Sequence, residues 1–229
     1  MMKMCGRFTL VVTYEELLEI LDKNYEIKSF ESNHELPRYN IAPTQDVISI
    51  IHDGEKYRVG YLKWGLVPSF AKDEKIGLKM INAKAETLLE KPSFAKLIET
   101  KRCVILADSF YEWKKDEHIK TPYRISILDQ KVFPLAGLRS VYQREDGSKL
   151  HTVTIITTEA NQFMKEIHER MPVILTKESE KIWLNLNNQN IQQILSCLKP
   201  YDDHQMQSYQ VSSYVNSSLH EDENCIKRV

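Results

Sequence analysis

The chain has 229 residues, 42% of them hydrophobic and 28% charged, a composition typical of a soluble globular protein and not of a disordered chain. Its formal net charge of -1 gives no global positive field, so any binding of nucleic acid must come from a local patch. No apolar run approaches the ~20 residues of a membrane span, and the N-terminus lacks the apolar stretch of a signal peptide. The sequence therefore predicts a cytoplasmic protein that has no contact with a membrane.

The periodicity of the first half predicts one helix and then several strands. Thr13 and Glu16 form a capping-box pattern, which opens an amphipathic helix through about Leu21. Residues 38–44 are expected to form an extended loop with a turn. Short strand-like runs follow at residues 47–51, 57–64, 103–107, 110–114, 123–128 and 152–157.

The second half is expected to contain more helix. Three helices are predicted at residues 159–170, 178–184 and 191–198, the first of them ending where Met171 precedes Pro172. The tail after Tyr214 is polar and is expected to be loose. Strands separated by helices of unequal length, with no regular βαβ alternation, no internal repeat and no linker, indicate a single α+β domain.

The four cysteines are scattered and form no C-x-x-C pair, which argues against a zinc site and against a disulfide framework. Cys103, Cys197 and Cys225 are assigned to structure or to incidental surface. We expect no metal and no cofactor. A weak basic patch is visible between residues 63 and 84, and its lysines are Lys63, Lys72, Lys75, Lys79 and Lys84.

Cys5 is the first residue whose position suggests chemistry. If translation starts at Met4 and that methionine is removed, Cys5 carries a primary amine and a thiol on adjacent carbons. The amine has an ordinary pKa of ~7.7–8.0, so much of it is unprotonated near neutrality and can attack an aldehyde to give a Schiff base. The thiol can then close a five-membered thiazolidine. The alternative is a small buried cysteine that only fills space.

Two further candidates are Glu112 and His168. Alternation in a strand puts Phe110, Glu112 and Lys114 on one face, and aromatic surroundings raise the pKa of a carboxyl group toward use as a general acid. His168 titrates near neutrality and can move protons. The alternatives are an exposed glutamate on a half-buried strand and a histidine that complements the dipole at a helix C-terminus.

An ordered series of motifs gives these residues a context. The series is Met-Cys-Gly-Arg-Phe (4–8), Tyr-Asn-Ile-Ala-Pro-Thr-Gln (39–45), Trp-Gly-Leu-Val-Pro (64–68), Asn-Ala-Lys-Ala-Glu-Thr (82–87), Arg-Cys (102–103), Ala-Asp-Ser-Phe-Tyr-Glu-Trp (107–113), His-Glu-Arg-Met-Pro-Val-Ile-Leu (168–175) and Val-Ser-Ser-Tyr-Val-Asn (211–216). The chain thereby resembles the SOS-response-associated peptidase (SRAP) family of abasic-site processing proteins. The resemblance covers a domain from residue 4 to 216, preceded by a leader (1–3) and followed by a polar tail (217–229).

The resemblance implies an α+β domain on a curved, barrel-like, mostly antiparallel sheet with peripheral helices and a groove for single-stranded DNA. It implies a monomer that captures abasic sites as a covalent thiazolidine in the DNA damage response. The catalytic residues it implies are Cys5, Asn82, Glu112 and His168. Phosphate contacts are implied for Arg7, Lys84 and Arg170, and a role in shaping the DNA channel for Asn40, Pro43, Trp64 and Pro68.

This assignment predicts a separate role for each catalytic residue. Glu112 would transfer a proton at the ring oxygen as the abasic sugar opens, His168 would assist at the carbinolamine and Schiff base, and Asn82 would fix the amine or a sugar hydroxyl. β-Elimination before ring closure would give weak lyase activity. Single-stranded DNA suits the site because no opposing strand must be unstacked.

The chain departs from the family pattern at two places. Met1, Met2 and Lys3 precede Met4, and unless they are cleaved the nitrogen of Cys5 stays in a peptide bond. Removal by the protein itself would be a peptidase activity. Lys84 stands where the family generally carries arginine, which keeps the charge but loses the bidentate fork.

Two other functions stay open on the residues alone. One is a cysteine peptidase or amidohydrolase that uses Cys5 with His168 as its base. The other is a non-catalytic module that binds single-stranded DNA and tolerates loss of Cys5.

Overall fold

The computed structural model describes residues 5–32, 35–117 and 119–229. These residues form a single α+β domain. Its strands are β1 (Phe8–Leu10), β2 (Arg38–Ile41), β3 (Asp46–His52), β4 (Tyr57–Trp64), β5 (Asn82–Lys84), β6 (Arg102–Ala107), β7 (Ser109–Asp116), β8 (Ile119–Ile127), β9 (Phe133–Gln143), β10 (Lys149–Glu159), β11 (Arg170–Pro172) and β12 (Met206–Gln210). Its helices are α1 (Tyr14–Tyr25), α2 (Pro92–Ala95), α3 (Leu97–Thr100), α4 (Gln162–Lys165), α5 (Lys177–Leu184) and α6 (Ile191–Ser196).

A closed five-stranded barrel is the centre of the domain. Strands β3, β4, β10, β9 and β6 pair in that order, and β6 pairs again with β3. Closure removes the free edges that an open sheet would expose. Strands β5 and β11 pair with the last residues of β10, so both lie at one end of this barrel. The predicted barrel-like, mostly antiparallel sheet with peripheral helices is confirmed.

A second sheet carries the N-terminal strand. Its order is β12-β8-β7-β1-β2, and every pair in it is antiparallel. Alternation along β7 sends Phe110 into the main core and Tyr111 into a smaller apolar cluster. Glu112 therefore lies on the same face as Phe110, as the sequence predicted.

Helix α1 forms where its capping box predicts. The Thr13 side chain accepts a hydrogen bond from the Glu16 N–H, and the Glu16 carboxylate accepts one from the Thr13 N–H. Buried Leu17, Leu21 and Tyr25 form its core face, so the helix continues one turn beyond the predicted end. None of the helices in the described ranges is long and apolar enough to cross a membrane.

The helix predicted over residues 159–170 is wrong for most of its length. Only α4 is helical there, and its N-cap Asn161 accepts a hydrogen bond from the Met164 N–H. The flanking residues belong to β10 and β11, which pair as a hairpin with the Ala160 N–H donating to the Glu169 carbonyl. Strand pairing thus overrides the local helix propensity, and His168 lies in a connection and not at the end of a long helix.

The segment after Tyr214 is packed, contrary to the expectation of a loose tail. Cys225 is fully buried beside Tyr111, and Val211 forms a β-bridge with Arg228. Glu221 accepts hydrogen bonds from the backbone N–H groups of Tyr39 and Asn40 at 2.6 and 3.0 Å. The polar composition of this segment therefore serves contacts with β2 as well as solvent.

Candidate active site

The pairing of β1 with β7 brings Cys5 beside Glu112. Phe8 lies opposite Phe110, and the Tyr111 N–H donates to the Arg7 carbonyl at 2.9 Å. At the end of this register the Cys5 N–H donates to Glu112 Oε1 at 2.6 Å. Cys5 is 1% exposed and Glu112 2% exposed, so the bond lies out of solvent.

Burial determines the protonation of both groups. It raises the pKa of Glu112 to about 8, although hydrogen bonds from the backbone N–H groups of Cys5 and Trp113 act in the opposite direction. Burial, and then the nearby Glu112 charge, raises the pKa of the Cys5 thiol well above its usual value. The thiol is therefore protonated at neutral pH, and Glu112 exchanges its proton in the physiological range. The groups fit a proton-transfer site better than a site built around a thiolate nucleophile.

Asn82 approaches Cys5 from the barrel. Strand β5 runs parallel to β10 with Asn82 opposite Ile155, and this register directs the amide toward Cys5. Its Nδ2 donates to the Cys5 carbonyl at 3.4 Å, a long hydrogen bond. The structure therefore brings together three of the four predicted catalytic residues: Cys5, Glu112 and Asn82.

His168 lies in the connection that leads into β11. Its Nδ1 accepts from the Arg170 N–H at 3.1 Å in one tautomer and donates to the Arg170 carbonyl at 3.3 Å in the other. Burial lowers its pKa, although the hydrogen bond to the Arg170 backbone and the charge of Glu169 act in the opposite direction; the charges of Lys115 and Arg170 make smaller lowering contributions. Among the described residues the His168 ring is hydrogen-bonded to Arg170 alone, and the His168 backbone N–H donates to the Met164 carbonyl, so an action of the ring on Cys5 stays a prediction.

Arg7 and Asn40 are engaged inside the protein. Arg7 Nη1 donates to Asn40 Oδ1 at 2.7 Å and to the Val215 carbonyl at 2.9 Å. The buried Asn40 amide donates to the carbonyls of Ser217 and His220 at 2.9 and 2.8 Å. These two predicted DNA-contact residues thus anchor the C-terminal segment to β2.

Arg170 and Lys84 flank the end of β10. Arg170 donates two parallel hydrogen bonds to the Glu86 carboxylate at 2.8 and 2.9 Å, and a third to the Thr157 carbonyl at 2.8 Å. Lys84 lies opposite Thr157 on β5 and is exposed. Lys84 is therefore open to a phosphate, whereas the Arg170 guanidinium already has a carboxylate partner.

The residues predicted to shape the channel differ in exposure. Trp64 is 1% exposed, donates from Nε1 to the Ile81 carbonyl at 2.9 Å and packs against Phe8 at 5.2 Å between ring centroids. Pro68 is buried and Pro43 half-buried. Trp64 can therefore pack behind the wall of a channel. Because it is buried, it is not available to contact a DNA base directly.

Sequence reasoning missed the supporting residues. Glu86 lies inside a quoted motif, and its separation of 84 residues from Arg170 concealed the pairing. Asp108, also inside a motif, accepts from Thr9 at 2.6 Å and forms an ion pair with Arg124 at 2.5 Å, which fixes β1 against β7 and β8. A buried charge in a motif is a signal that a partner of opposite sign must lie nearby.

A metal centre has no support in the described ranges. No group of three or more histidine, cysteine, aspartate or glutamate side chains there is arranged to hold a metal ion. All four cysteines are free and buried.

Comparison with known proteins places this geometry in a family. The chain is 51% identical over 216 residues to abasic site processing protein YoqW of Bacillus subtilis, covering 93% of this chain and 95% of that protein. It is 31% identical over 254 residues to abasic site processing protein YMR114C of Saccharomyces cerevisiae, covering 98% of this chain and 68% of that one. A crystal structure of a protein from Bacteroides thetaiotaomicron superposes with a TM-score of 0.82 at 26% identity, covering 98% and 100% of the two chains.

The family description matches almost the whole chain and includes every residue of the site. The matched range is residues 4–218, from the residue before Cys5 to the segment held by Arg7 and Asn40. The chain belongs to the SOS response associated peptidase (SRAP) family.

Proposed function

We propose that this protein processes abasic sites in single-stranded DNA by covalent capture through the amine and thiol of Cys5. The observation that carries the proposal is the 2.6 Å contact between the Cys5 nitrogen and Glu112 Oε1 in a buried site. The names of the relatives YoqW and YMR114C support abasic-site processing as the general activity. The thiazolidine and the preference for single strands are the finer parts of the proposal.

The capture begins with the amine and not with the thiol. The raised pKa of the Cys5 thiol keeps it protonated, whereas an α-amine with an ordinary pKa of ~7.7–8.0 is partly unprotonated near neutrality. The amine attacks the aldehyde carbon of the opened sugar, and loss of water gives a Schiff base. The sulfur then adds to the imine carbon while its proton passes to the nitrogen, which closes the ring.

Glu112 moves protons in this sequence. With residues 1–4 attached, burial raises the pKa of this carboxyl group to about 8, and the free amine of the Cys5-first chain lowers that pKa again, so the group can both donate a proton and take it back in the reverse step. Its 2.6 Å contact with the Cys5 nitrogen supports this role, because that nitrogen is the atom proposed to attack the aldehyde. His168, neutral because its pKa is lowered, is assigned to proton movement on the carbinolamine, and Asn82 to holding the Cys5 backbone.

The leader must be removed before capture. While Met4 is joined to Cys5 the nitrogen is an amide and cannot form a Schiff base. We assign removal to the protein itself, a peptidase activity in which water adds to the Met4 carbonyl carbon and Glu112 protonates the leaving nitrogen, giving the Met4 carboxylate and the free amine of Cys5. A Schiff base that eliminates before the ring closes cuts the strand, and this accounts for a weak lyase activity.

The test uses a single-stranded oligonucleotide with one abasic site. The chain that starts at Met1 and the chain that starts at Cys5 are each incubated with it, and adducts are read by denaturing gel and intact-protein mass spectrometry. We expect a heat-stable adduct, equal to the sum of protein and DNA less one water, from the Cys5-first chain. The Met1-first chain forms that adduct only after losing residues 1–4.

Two variants separate amine from thiol. Cys5→Ser and Cys5→Ala, each produced with that residue first, keep the amine and lose the thiol. We expect both to be trapped on DNA by borohydride, which reduces the Schiff base, and to give no heat-stable adduct without it. A heat-stable adduct from Cys5→Ala would contradict thiazolidine formation, because alanine has no thiol. Absence of an adduct from every form would favour the hydrolase alternative.

The two alternatives predict different readouts. An amidohydrolase releases a small product from an amide substrate and leaves the DNA unmodified. A non-catalytic binder holds abasic and intact strands equally, and Cys5→Ala leaves both affinities unchanged.

A further inference from the structure

A second cleft lies away from Cys5 and has no part in the proposed capture. Its cavity volume is about 450 Å³, within the range of small-molecule sites. Its walls are the C-terminal half of α1, the first turns of α5, the turn between β8 and β9, and the mouth of the barrel at Phe133 and Leu175. None of the predicted catalytic or DNA-contact residues lines it.

The rim of this cleft is basic. Four of its lining residues are lysines from three separate elements: Lys23, Lys131, Lys177 and Lys181. Asp129 and Glu180 are the acidic residues in the lining, so the lysines exceed them by two charges. Lys131 is paired with Glu16 of α1. Within the described ranges no acidic side chain forms an ion pair with Lys23, Lys177 or Lys181, which leaves three ammonium groups for an anionic ligand.

The inner wall is aromatic and rigid. Tyr25 and Tyr57 meet edge to face with their ring centroids 5.5 Å apart. The Tyr25 hydroxyl donates to Glu180 Oε1 at 2.5 Å, which holds this half-buried carboxylate against the aromatic wall. Phosphate alone has no need of such a wall, whereas a planar ring gains from packing against it.

Two amide side chains also line the cleft. Asn24 and Gln130 both line the cleft. Each amide offers donors and an acceptor, the combination that recognises the edge of a nucleobase. Gln130 is held by a hydrogen bond from its Nε2 to the Tyr201 hydroxyl at 3.2 Å, so its position is fixed before a ligand arrives.

We propose that this cleft binds a nucleoside 5′-phosphate, either free or at the end of a DNA strand. The lysines take the phosphate, the Tyr25 and Tyr57 wall packs against the base, and Asn24 and Gln130 contact its edge. This site is independent of the covalent capture, so its failure leaves the proposed function untouched.

The experiment is an NMR titration of the ¹⁵N-labelled full chain. The probes are dAMP, deoxyadenosine, inorganic phosphate and a short 5′-phosphorylated oligonucleotide without an abasic site. We expect saturable shifts at amides that line the cleft, and tighter binding of dAMP than of deoxyadenosine or phosphate. Binding of the oligonucleotide at the same amides would identify a strand end as the source, and binding of dAMP alone would identify the free nucleotide.

Paired substitutions test the rim. The double variant Lys177→Ala with Lys181→Ala is expected to weaken dAMP binding about tenfold, since it removes two charge contacts on the exposed side. The control, Lys91→Ala with Lys96→Ala, removes two exposed lysines outside the cleft and is expected to change the affinity less than about twofold. The proposal fails if dAMP gives no saturable shift, if phosphate alone binds as tightly, if the shifts centre on Cys5 instead, or if the two double variants behave alike.

Discussion

Burial has different consequences in the Cys5 pocket and at the arginines Arg7 and Arg170. In the pocket, burial shifts the pKa values of Cys5 and Glu112, whose nitrogen and carboxylate oxygen are in contact, and it also shifts the pKa of His168 in the connection before β11. Around the pocket, Arg7 and Arg170 are partly buried and hold protein atoms with most of their donors. Burial therefore changes protonation in the Cys5 pocket, whereas at Arg7 and Arg170 it accompanies hydrogen bonds that hold the structure together.

This contrast teaches how substitutions in the two regions should be read. A pocket side chain can be replaced by an isosteric one with a large effect on chemistry and a small effect on folding. A residue such as Asn40 cannot be replaced without loosening the C-terminal segment, so a loss of DNA binding there is not a measure of DNA contact. The experiments below test whether the two regions separate in this way.

The largest effect on chemistry is expected from Glu112→Gln in the Cys5-first chain. Glutamine keeps an oxygen that accepts the bond from the Cys5 nitrogen and cannot transfer a proton. We expect capture to slow by about 10²–10⁴-fold, with the urea midpoint nearly unchanged. Rates are measured as adduct formed against time. Capture at the rate of the unsubstituted chain would remove Glu112 from the mechanism, and Glu99→Gln on the exposed surface is the matched control.

The largest effect on stability is expected from Asn40→Ala. The substitution removes the amide that donates to the carbonyls of Ser217 and His220, and it removes one acceptor of Arg7, which keeps the Val215 carbonyl. We expect the free energy of unfolding to fall by roughly 2 to 4 kcal/mol, measured by urea denaturation. The control is exposed Asn187→Ala, which should stay within about 0.5 kcal/mol. Equal stability of both variants would contradict the anchoring role of Asn40.

A pH-dependent effect follows from the raised pKa of Glu112. In the Met1-first chain the folded protein holds this proton to about pH 8, whereas the unfolded chain releases it near the ordinary value of 4.5. Between these values the folded state binds more protons, so stability falls as pH rises. The slope contributed by Glu112 is at most about 1.4 kcal/mol per pH unit.

The measurement compares this chain with its Glu112→Gln variant by urea denaturation from pH 5 to 8. The free energy of unfolding of this chain relative to that of the variant should fall along that slope as the pH rises, because the two chains share all other titrating groups. In the Cys5-first chain an ammonium beside Glu112 lowers the carboxyl pKa, so the slope should be smaller. The same slope in both chains would show that the Cys5 nitrogen does not act on Glu112.

Local features of the fold were predictable from the sequence, and long-range ones were not. The capping box at Thr13 and the strand-like runs that became β4 and β7 are local, and each formed where the sequence predicts it. Residues 159–170 are predicted as a helix because local sequence patterns do not reveal that β10 pairs with β11. The packing of Glu221 on Tyr39 joins residues 182 apart, and polar composition gave no sign of it.

The candidate site shows the same division. The resemblance supplied Cys5, Asn82, Glu112 and His168, and the structure brings the first three into contact across separations of 77 and 107 residues. The raised pKa of Glu112 depends on how deeply β7 is covered, which no motif reports. The pairing of Glu86 with Arg170 was equally hidden, although both residues lie in motifs.

The smallest effect is expected from Lys84→Arg on β5, the one predicted phosphate contact that is exposed. Arginine keeps the charge and adds a planar fork that grips a phosphate with two hydrogen bonds, so we expect DNA affinity to rise about two- to fivefold. Binding of single-stranded DNA is measured by fluorescence polarisation in a Cys5→Ala background at several salt concentrations. The salt slope should stay constant, because the number of neutralised phosphates is unchanged, whereas Lys84→Gln should reduce it by about 0.7. Unchanged affinity and salt slope in both variants would place the DNA elsewhere on the barrel. The difference between exposed Lys84 and Arg170, which is paired with Glu86, would then say nothing about DNA binding.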